Sequence, residues 1–459
     1  MKNKSEKGAK QVPAHLILLA GALGVVSACT ASAAELEVGM GRCVITPQHS
    51  QWLAGYAGRN APSDGAIHDL YAKAMVIRDE SGDLAAIVTT DLLGISADLS
   101  RRTAELAKER FGIPRERLIF TASHTHSGPV IHDRLQSIYP LDEEQRRVVT
   151  EYTEALPGHF LEAIQEGVDT LEPGLLKWGI GQARFAVNRR EYTPDGVINR
   201  KNPIGPVDHD VPVLAACDPE GKVRGVLFGY ACHNTTLCIQ QFCGDYAGFA
   251  QAAIEERMPG TMALFTEGCG GDQNPLPRRK MELCRQYGQE LGEAVVSVLK
   301  AEMSPVTGPI RAVYQEAPLQ LGEPPSREEL EKQATSENVY VKKRAQNLLA
   351  SLDEKGALDT TYPYPIQLWQ FSDTLQMTVL AGEVVVDYAL LLKHLFGREK
   401  QYIIAYANDL CGYIPSLRVL REGGYEGADA MLYYGFYGPW AGNVEETILS
   451  AVEELARSQ

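Results

Sequence analysis

The chain has 459 residues, 44% of them hydrophobic, with 59 acidic against 44 basic side chains and a formal net charge of −15. That length fits one large α/β unit with insertions or two domains, and the apolar share is enough for a sizeable core. So negative a chain repels phosphate backbones and anionic membranes at long range, which argues against nucleic acid as a partner.

Residues 1–10 carry four lysines and one glutamate, residues 14–28 are apolar apart from His15 and Ser27, and small residues follow at Ala31-Ser32-Ala33-Ala34. This reads as a secretory signal over residues 1–34. The apolar run is shorter than the roughly 20 residues of a membrane span. Val26-Ser27-Ala28-Cys29 resembles a bacterial lipobox, in which Cys29 would be acylated, and cleavage after Ala33 or Ala34 is the alternative. Either way the protein is expected to be exported: periplasmic, secreted, or an outer-surface lipoprotein in peripheral or lipid-anchored contact with a membrane. Loss of the leader takes the formal charge from −15 to about −18 by counting. The remaining cysteines are too dilute for a disulfide framework and form no C-x-x-C, so some can pair in an exported chain while several serve as small buried residues.

Along the mature chain, residues 39–47 are strand-like. Residues 72–78 and 84–91 read as strands around the turn Glu80-Ser81-Gly82-Asp83. A helix is expected from Ser100 as N-cap to Phe111, closed by Gly112, and then a strand over 118–123. This is a β-α-β unit with His124 at its carboxyl end, the edge at which open α/β sheets bind ligands. His126 follows two residues on, so in extended backbone both imidazoles would reach one cavity, and Gly128-Pro129 ends the regular structure.

Residues 142–171 are helical in pattern, broken or kinked at Pro157, and 176–185 return to strand. Residues 211–216 and 223–232 form a hairpin around Asp218-Pro219-Glu220-Gly221, and His233 stands at its end. A helix over 246–258 and a strand over 262–266 lead into Gly268-Cys269-Gly270-Gly271-Asp272-Gln273-Asn274-Pro275. This loop lets backbone approach a ligand closely but lacks the Lys-Ser/Thr of a P-loop. Residues 278–300 are helical, and about 322–356 form a charged, exposed helical insertion. A strand over 378–381 ends in Gly382-Glu383, which opens an apolar helix to Phe396. Residues 401–406 are strand-like, and a loop-rich, tyrosine-bearing stretch runs to Trp440. The expected fold class is α/β, with mixed β-sheets flanked by helices and the candidate ligands at the carboxyl ends of strands.

Ser123-His124-Thr125-His126-Ser127-Gly128-Pro129 resembles the T-H-T-H-S-G-P signature of the neutral, non-lysosomal ceramidases. Ala231-Cys232-His233-Asn234-Thr235-Thr236 is similar to that family's A-T-H-A-T-S, Ala381-Gly382-Glu383 to its P-G-E, and Asn188-Arg189 to its N-R-S. Cys411-Gly412-Tyr413 and Gly424-Tyr425-Glu426-Gly427-Ala428 resemble its G-Y-V and Y-E-G-A pair, and all the matches run in order. The resemblance implies a neutral-ceramidase-like zinc hydrolase domain over residues 35–459, with one Zn²⁺ held by His124, His233, Glu383 and Tyr413. It makes His126 and Tyr425 catalytic or substrate-orienting and gives Arg189 the substrate's polar head.

Two departures bear on mechanism. The family's G-D-V-S-P-N loop carries a serine, whereas Gly271-Asp272-Gln273-Asn274-Pro275 has none, so a serine nucleophile is not expected. The family's immunoglobulin-like C-terminal domain has no counterpart before the sequence ends. The expected reaction is attack of metal-bound water on the amide of an N-acyl lipid such as ceramide. A zinc-bound water ionises near pH 7, His126 is the acid/base candidate, and Tyr425, Gln273 and Asn274 are candidate oxyanion donors. The alternatives are a related zinc hydrolase acting on another amide or ester of a glycan or lipid conjugate, and a non-catalytic zinc-containing surface protein that binds lipid or glycan.

Overall fold

Strand Leu84–Thr90 turns Ala85 and Ile87 toward one core and Ala86 and Val88 toward another, the period of two that a strand buried on both faces requires. The structure, a computed structural model, describes residues 36–131, 135 and 138–458. The expected leader lies outside the described residues. This strand belongs to a five-stranded sheet in the order Leu118–Ala122, Leu84–Thr90, Tyr71–Arg78, Glu37–Val44, Glu172–Pro173. A second sheet has the order Met262–Glu267, Val223–Tyr230, Asp210–Cys217, Leu175–Gln182, Ser304–Val306. A third runs Ile310–Gln320, Thr361–Phe371, Leu375–Leu380, Gln401–Ile404.

Each sheet contains one parallel pair joined through a helix: Ala97–Phe111 in the first, Asp245–Arg257 in the second, Val386–Phe396 in the third. The inner faces share one core, in which Ile87 and Ile119 meet Leu227 and Leu264 and Met377 and Ile404. Helices cover the outer faces, with Phe160 and Ile164 on the first sheet, Ile254 and Leu291 on the second, and Leu392 and Ile448 on the third. The carboxyl ends are stitched together by backbone bonds. Ala122 N–H donates to the Tyr406 carbonyl at 3.3 Å, Ala405 N–H to that of Glu267 at 2.9 Å, and Asn408 N–H to that of Phe120 at 2.7 Å. Three sheets therefore deliver their loops to one place. The mixed α/β class expected from the sequence is what the chain adopts.

Local differences have identifiable causes. Helix Ala97–Phe111 starts four residues earlier than expected, because Ser96 rather than Ser100 caps it, its Oγ accepting from Leu99 N–H at 3.1 Å. Gly112 closes it at φ 72° as expected. Helix Glu143–Asp169 passes through Pro157 without a break. The charged segment forms helices Arg327–Gln333 and Val339–Lys355, set between the two long strands Ile310–Gln320 and Thr361–Phe371. Those strands escape a sequence reading because Pro318, Pro363 and Pro365 lie within them. Where some pairing was expected, Cys43, Cys217, Cys232, Cys238, Cys243, Cys269 and Cys284 are free thiols among the described residues, and of these only Cys43 and Cys238 are not buried. Among the described residues no helix is long and apolar enough to cross a membrane.

Candidate metal and catalytic site

Strand Leu118–Ala122 stops two residues before His124, whose backbone turns to φ 58°. A non-glycine residue there costs about 1–3 kcal/mol and persists only where its surroundings hold it. His124 is held by its ring, whose Nδ1–H donates to the Leu93 carbonyl at 2.7 Å. Residues 124 and 126 are thus not in extended backbone, contrary to the reasoning from the i, i+2 spacing. They meet because the chain turns sharply, leaving the two Nε2 atoms 3.1 Å apart. His126 N–H donates to the Asn234 carbonyl at 3.2 Å, tying this loop to the one that carries His233.

His233 follows strand Val223–Tyr230 and donates its Nδ1–H to the Gly270 carbonyl at 2.7 Å. That loop must be glycine: a Cβ at Gly270 would lie 2.4 Å from Glu267 Oε1 and 2.8 Å from the Cys232 nitrogen. Glu383 and Tyr413 pair directly in the short parallel ladder of Glu383–Val384 and Tyr413–Ile414. Glu383 therefore precedes helix Val386–Phe396 and does not open it, Val385 being the N-cap. Its Oε2 lies 3.3 Å from His124 Nε2 and 3.0 Å from His233 Nε2. Tyr434 donates to its Oε1, and the Tyr413 hydroxyl is 3.1 Å from His233 Nε2.

With both Nδ1 protons committed to carbonyls, His124 and His233 present lone pairs at Nε2 toward a carboxylate oxygen that has no hydrogen-bond donor. Lone pairs converging beside the Tyr413 hydroxyl make a donor set that a cation would satisfy. Burial, aided by the Arg189 charge, pushes His233 down to about 3, so it is neutral at pH 7. The ligand-type atoms of His124, His126 and His233 lie within 4.8 Å of one another, a group able to hold a metal ion.

His126 differs from its neighbours: among the described residues its buried Nδ1 has no hydrogen-bond partner. Metal-ligating histidines almost always fix that nitrogen to an acceptor, as His124 and His233 do. Burial and the adjacent imidazoles hold His126 well below its ordinary value. Gly55, at φ 90°, packs against this ring, and a Cβ there would fall 2.3 Å from His126 Nδ1. Gly55→Ala is therefore expected to displace His126 and cut turnover at unchanged metal content, as steady-state kinetics with metal analysis would register.

Arg189 reaches the centre through Nη2, which donates to the Tyr413 hydroxyl at 2.9 Å, while its Nε donates to Glu426 at 2.7 Å. Glu426 also binds Arg190 at 2.6 Å, so one buried carboxylate serves two guanidinium groups. Asn274 turns Oδ1 to Arg189 Nη1 at 3.3 Å, leaving its amide nitrogen without a protein acceptor among the described residues. Gln273, expected to face the site, spends its amide hydrogens on the Ala231 and Cys269 carbonyls at 2.6 and 3.3 Å and accepts from Asp208 N–H at 2.9 Å. The Tyr425 ring lies 5.3 Å from that of Tyr413. His124, His126, Glu383, Tyr413 and Tyr425 line a cavity of about 500 Å³, and Tyr56, Tyr433 and Tyr434 line it too. Among the described residues no serine lines it. The sequence did not single out Tyr434, Glu426, or Tyr406, whose ring lies 4.4 Å from that of His124. Their only signal is the tyrosine-rich stretch and the Tyr425-Glu426-Gly427-Ala428 string.

The fold is similar to that of a neutral ceramidase from Pseudomonas aeruginosa, with a TM-score of 0.70 at 20% identity over 92% of this chain and 75% of that one. A ceramidase complexed with C2 gives a TM-score of 0.69 at 19% identity, covering 92% and 76%. Neutral ceramidases of Drosophila pseudoobscura pseudoobscura and Drosophila melanogaster are each 24% identical, over 278 and 271 residues or 57% and 55% of this chain. The match spans 38% of the length of each fly protein. The model of the neutral/alkaline non-lysosomal ceramidase N-terminal region matches residues 36–275, a span that includes both histidine loops and Arg189, and the chain belongs to that family.

Proposed function

We propose that this protein is an exported, metal-dependent hydrolase that cleaves the amide bond of an N-acyl lipid of the ceramide type. The observation that carries the reading is the convergence of His124 Nε2, His233 Nε2 and Glu383 Oε2, beside the Tyr413 hydroxyl. Two imidazoles, a carboxylate and a phenol suit Zn²⁺ better than magnesium or calcium. A Zn²⁺ ion held by these four residues supplies Lewis-acid activation of water and carbonyl.

The remaining chemistry belongs to the chain. Tyr434 and Arg189 fix the directions of Glu383 and Tyr413. His126 takes the proton of the attacking water at Nε2 and returns it to the leaving nitrogen, so that amide plus water gives fatty acid and free amine. The Asn274 amide nitrogen and the Tyr425 hydroxyl are the donors available to the developing oxyanion, worth about 3 kcal/mol for one well-placed group. Gln273 props the loop instead. The loop Gly271-Asp272-Gln273-Asn274-Pro275 carries no serine, so water attacks without an acyl-enzyme. Turnover in ¹⁸O-water should place one label in the released fatty acid and leave the protein mass unchanged throughout. An acyl adduct accumulating on the protein would overturn the direct route, and failure to hydrolyse any N-acyl lipid would overturn the function.

A further inference from the structure

Arg59 is 7% exposed and lines the cavity that holds His124 and His126. All its hydrogen-bond partners are neutral: Nη1 donates to the Ile239 carbonyl at 2.7 Å and Gln240 Oε1 at 2.8 Å, and Nη2 to the His126 carbonyl at 2.6 Å. Among the described residues its buried Nε–H has no partner. Nη2 carries a second hydrogen, so two of the five guanidinium hydrogens, on Nε and Nη2, are not committed to the protein groups named above.

The contrast with the other buried arginines is sharp. Arg189 and Arg190 share Glu426, and Arg190 also meets Glu422. Among the described residues no carboxylate pairs with Arg59. Its surroundings add positive charge: the Arg279 guanidinium lies 4.8 Å from the centre of the Tyr56 ring, and Arg59 lies 5.4 Å from the same ring. Arg59 also lines an adjoining cavity bordered by Arg146 and Lys343. A buried, uncompensated guanidinium is costly, and in a chain of net charge −15 it is out of keeping with the composition. Its burial, opposed by no carboxylate, also lowers its pKa.

We propose that the substrate is an anionic N-acyl compound: its acyl chain meets Leu93, Leu135 and Ile138 in the main cavity, and the amine portion carries a carboxylate, sulfonate or phosphate that the Arg59 guanidinium binds. This deepens the hydrolase reading and rests on it. Neutral ceramide would leave the guanidinium unpaired.

The test uses full-length, metal-loaded protein and substrates matched in acyl chain: N-dodecanoylglycine, N-dodecanoyltaurine and the neutral N-dodecanoylglycinamide, with ceramide alongside. Wild type should prefer at least one charged member over the neutral amide by about tenfold or more in kcat/KM, the scale of one hydrogen bond to a charged group. The glycine and taurine arms distinguish carboxylate from sulfonate. In Arg59→Gln the ratio of charged to neutral should fall toward one, mainly through KM, and Arg59→Lys should restore part of it. Equal kcat/KM for charged and neutral members in wild type overturns the anionic assignment and leaves the hydrolase reading standing. A parallel loss on all substrates in Arg59→Gln, with metal content and melting temperature unchanged, overturns the role of Arg59. Hydrolysis of no member overturns both readings.

Discussion

Replacing His126 by alanine is expected to lower kcat by about 10²–10⁴-fold, the share of a positioned acid/base group, while bound metal stays at the wild-type level. The basis is the difference among three clustered imidazoles. His124 and His233 are each fixed through Nδ1 to a carbonyl 2.7 Å away, whereas the Nδ1 of His126 has no partner among the described residues. A ligand whose tautomer is locked holds a cation, and a ring with an unfixed tautomer can receive a proton and give it back. Steady-state kinetics with metal analysis separates the roles: His124→Ala and His233→Ala should lose metal and turnover together. If His126→Ala also came out metal-free, His126 would be a third histidine ligand, and the proton would need another carrier.

Glu426→Ala is expected to destabilise the fold by about 3–5 kcal/mol, because it leaves the buried Arg189 guanidinium without its carboxylate and Arg190 with Glu422 alone. A thermal melt would register it as a large fall in Tm, and Arg189, released from Glu426, would no longer hold the Tyr413 hydroxyl. The pH dependence follows from the same pair. Burial alone would raise the Glu426 pKa, but Arg189 and Arg190 outweigh it and the folded-state value is depressed. A depressed carboxyl contributes stability that is complete above its unfolded value of about 4.3 and is lost as pH falls through the lower folded value. Denaturant unfolding between neutral and acid pH should therefore fall less steeply below about pH 4.3 in Glu426→Ala than in wild type.

His124, His233 and Glu383 were legible as candidates because each follows a strand end within a few residues, whereas Tyr413, nine residues past strand Gln401–Ile404, entered through the resemblance alone. The layered α/β class was legible for the same reason, from the strand–helix–strand spacing around residues 84–122. The groups that orient those ligands were not. The Leu93 and Gly270 acceptors are backbone carbonyls with no sequence signature, and Tyr434 lies 51 residues from the Glu383 it bonds. Gln273 misled because residue type alone does not say which way a side chain points inside a folded loop. The long hairpin of the third sheet was hidden by its prolines, which a strand tolerates where register leaves their missing N–H unneeded.

The most direct measurement is fatty-acid release from a panel of N-acyl lipids, ceramide included, by purified protein as isolated, after chelator treatment, and after Zn²⁺ add-back. Activity on at least one N-acyl lipid, abolished by the chelator and restored by Zn²⁺, is the expected result. Hydrolysis that persists in protein shown to be metal-free would contradict a cation held by His124, His233, Glu383 and Tyr413 as the centre of this chemistry.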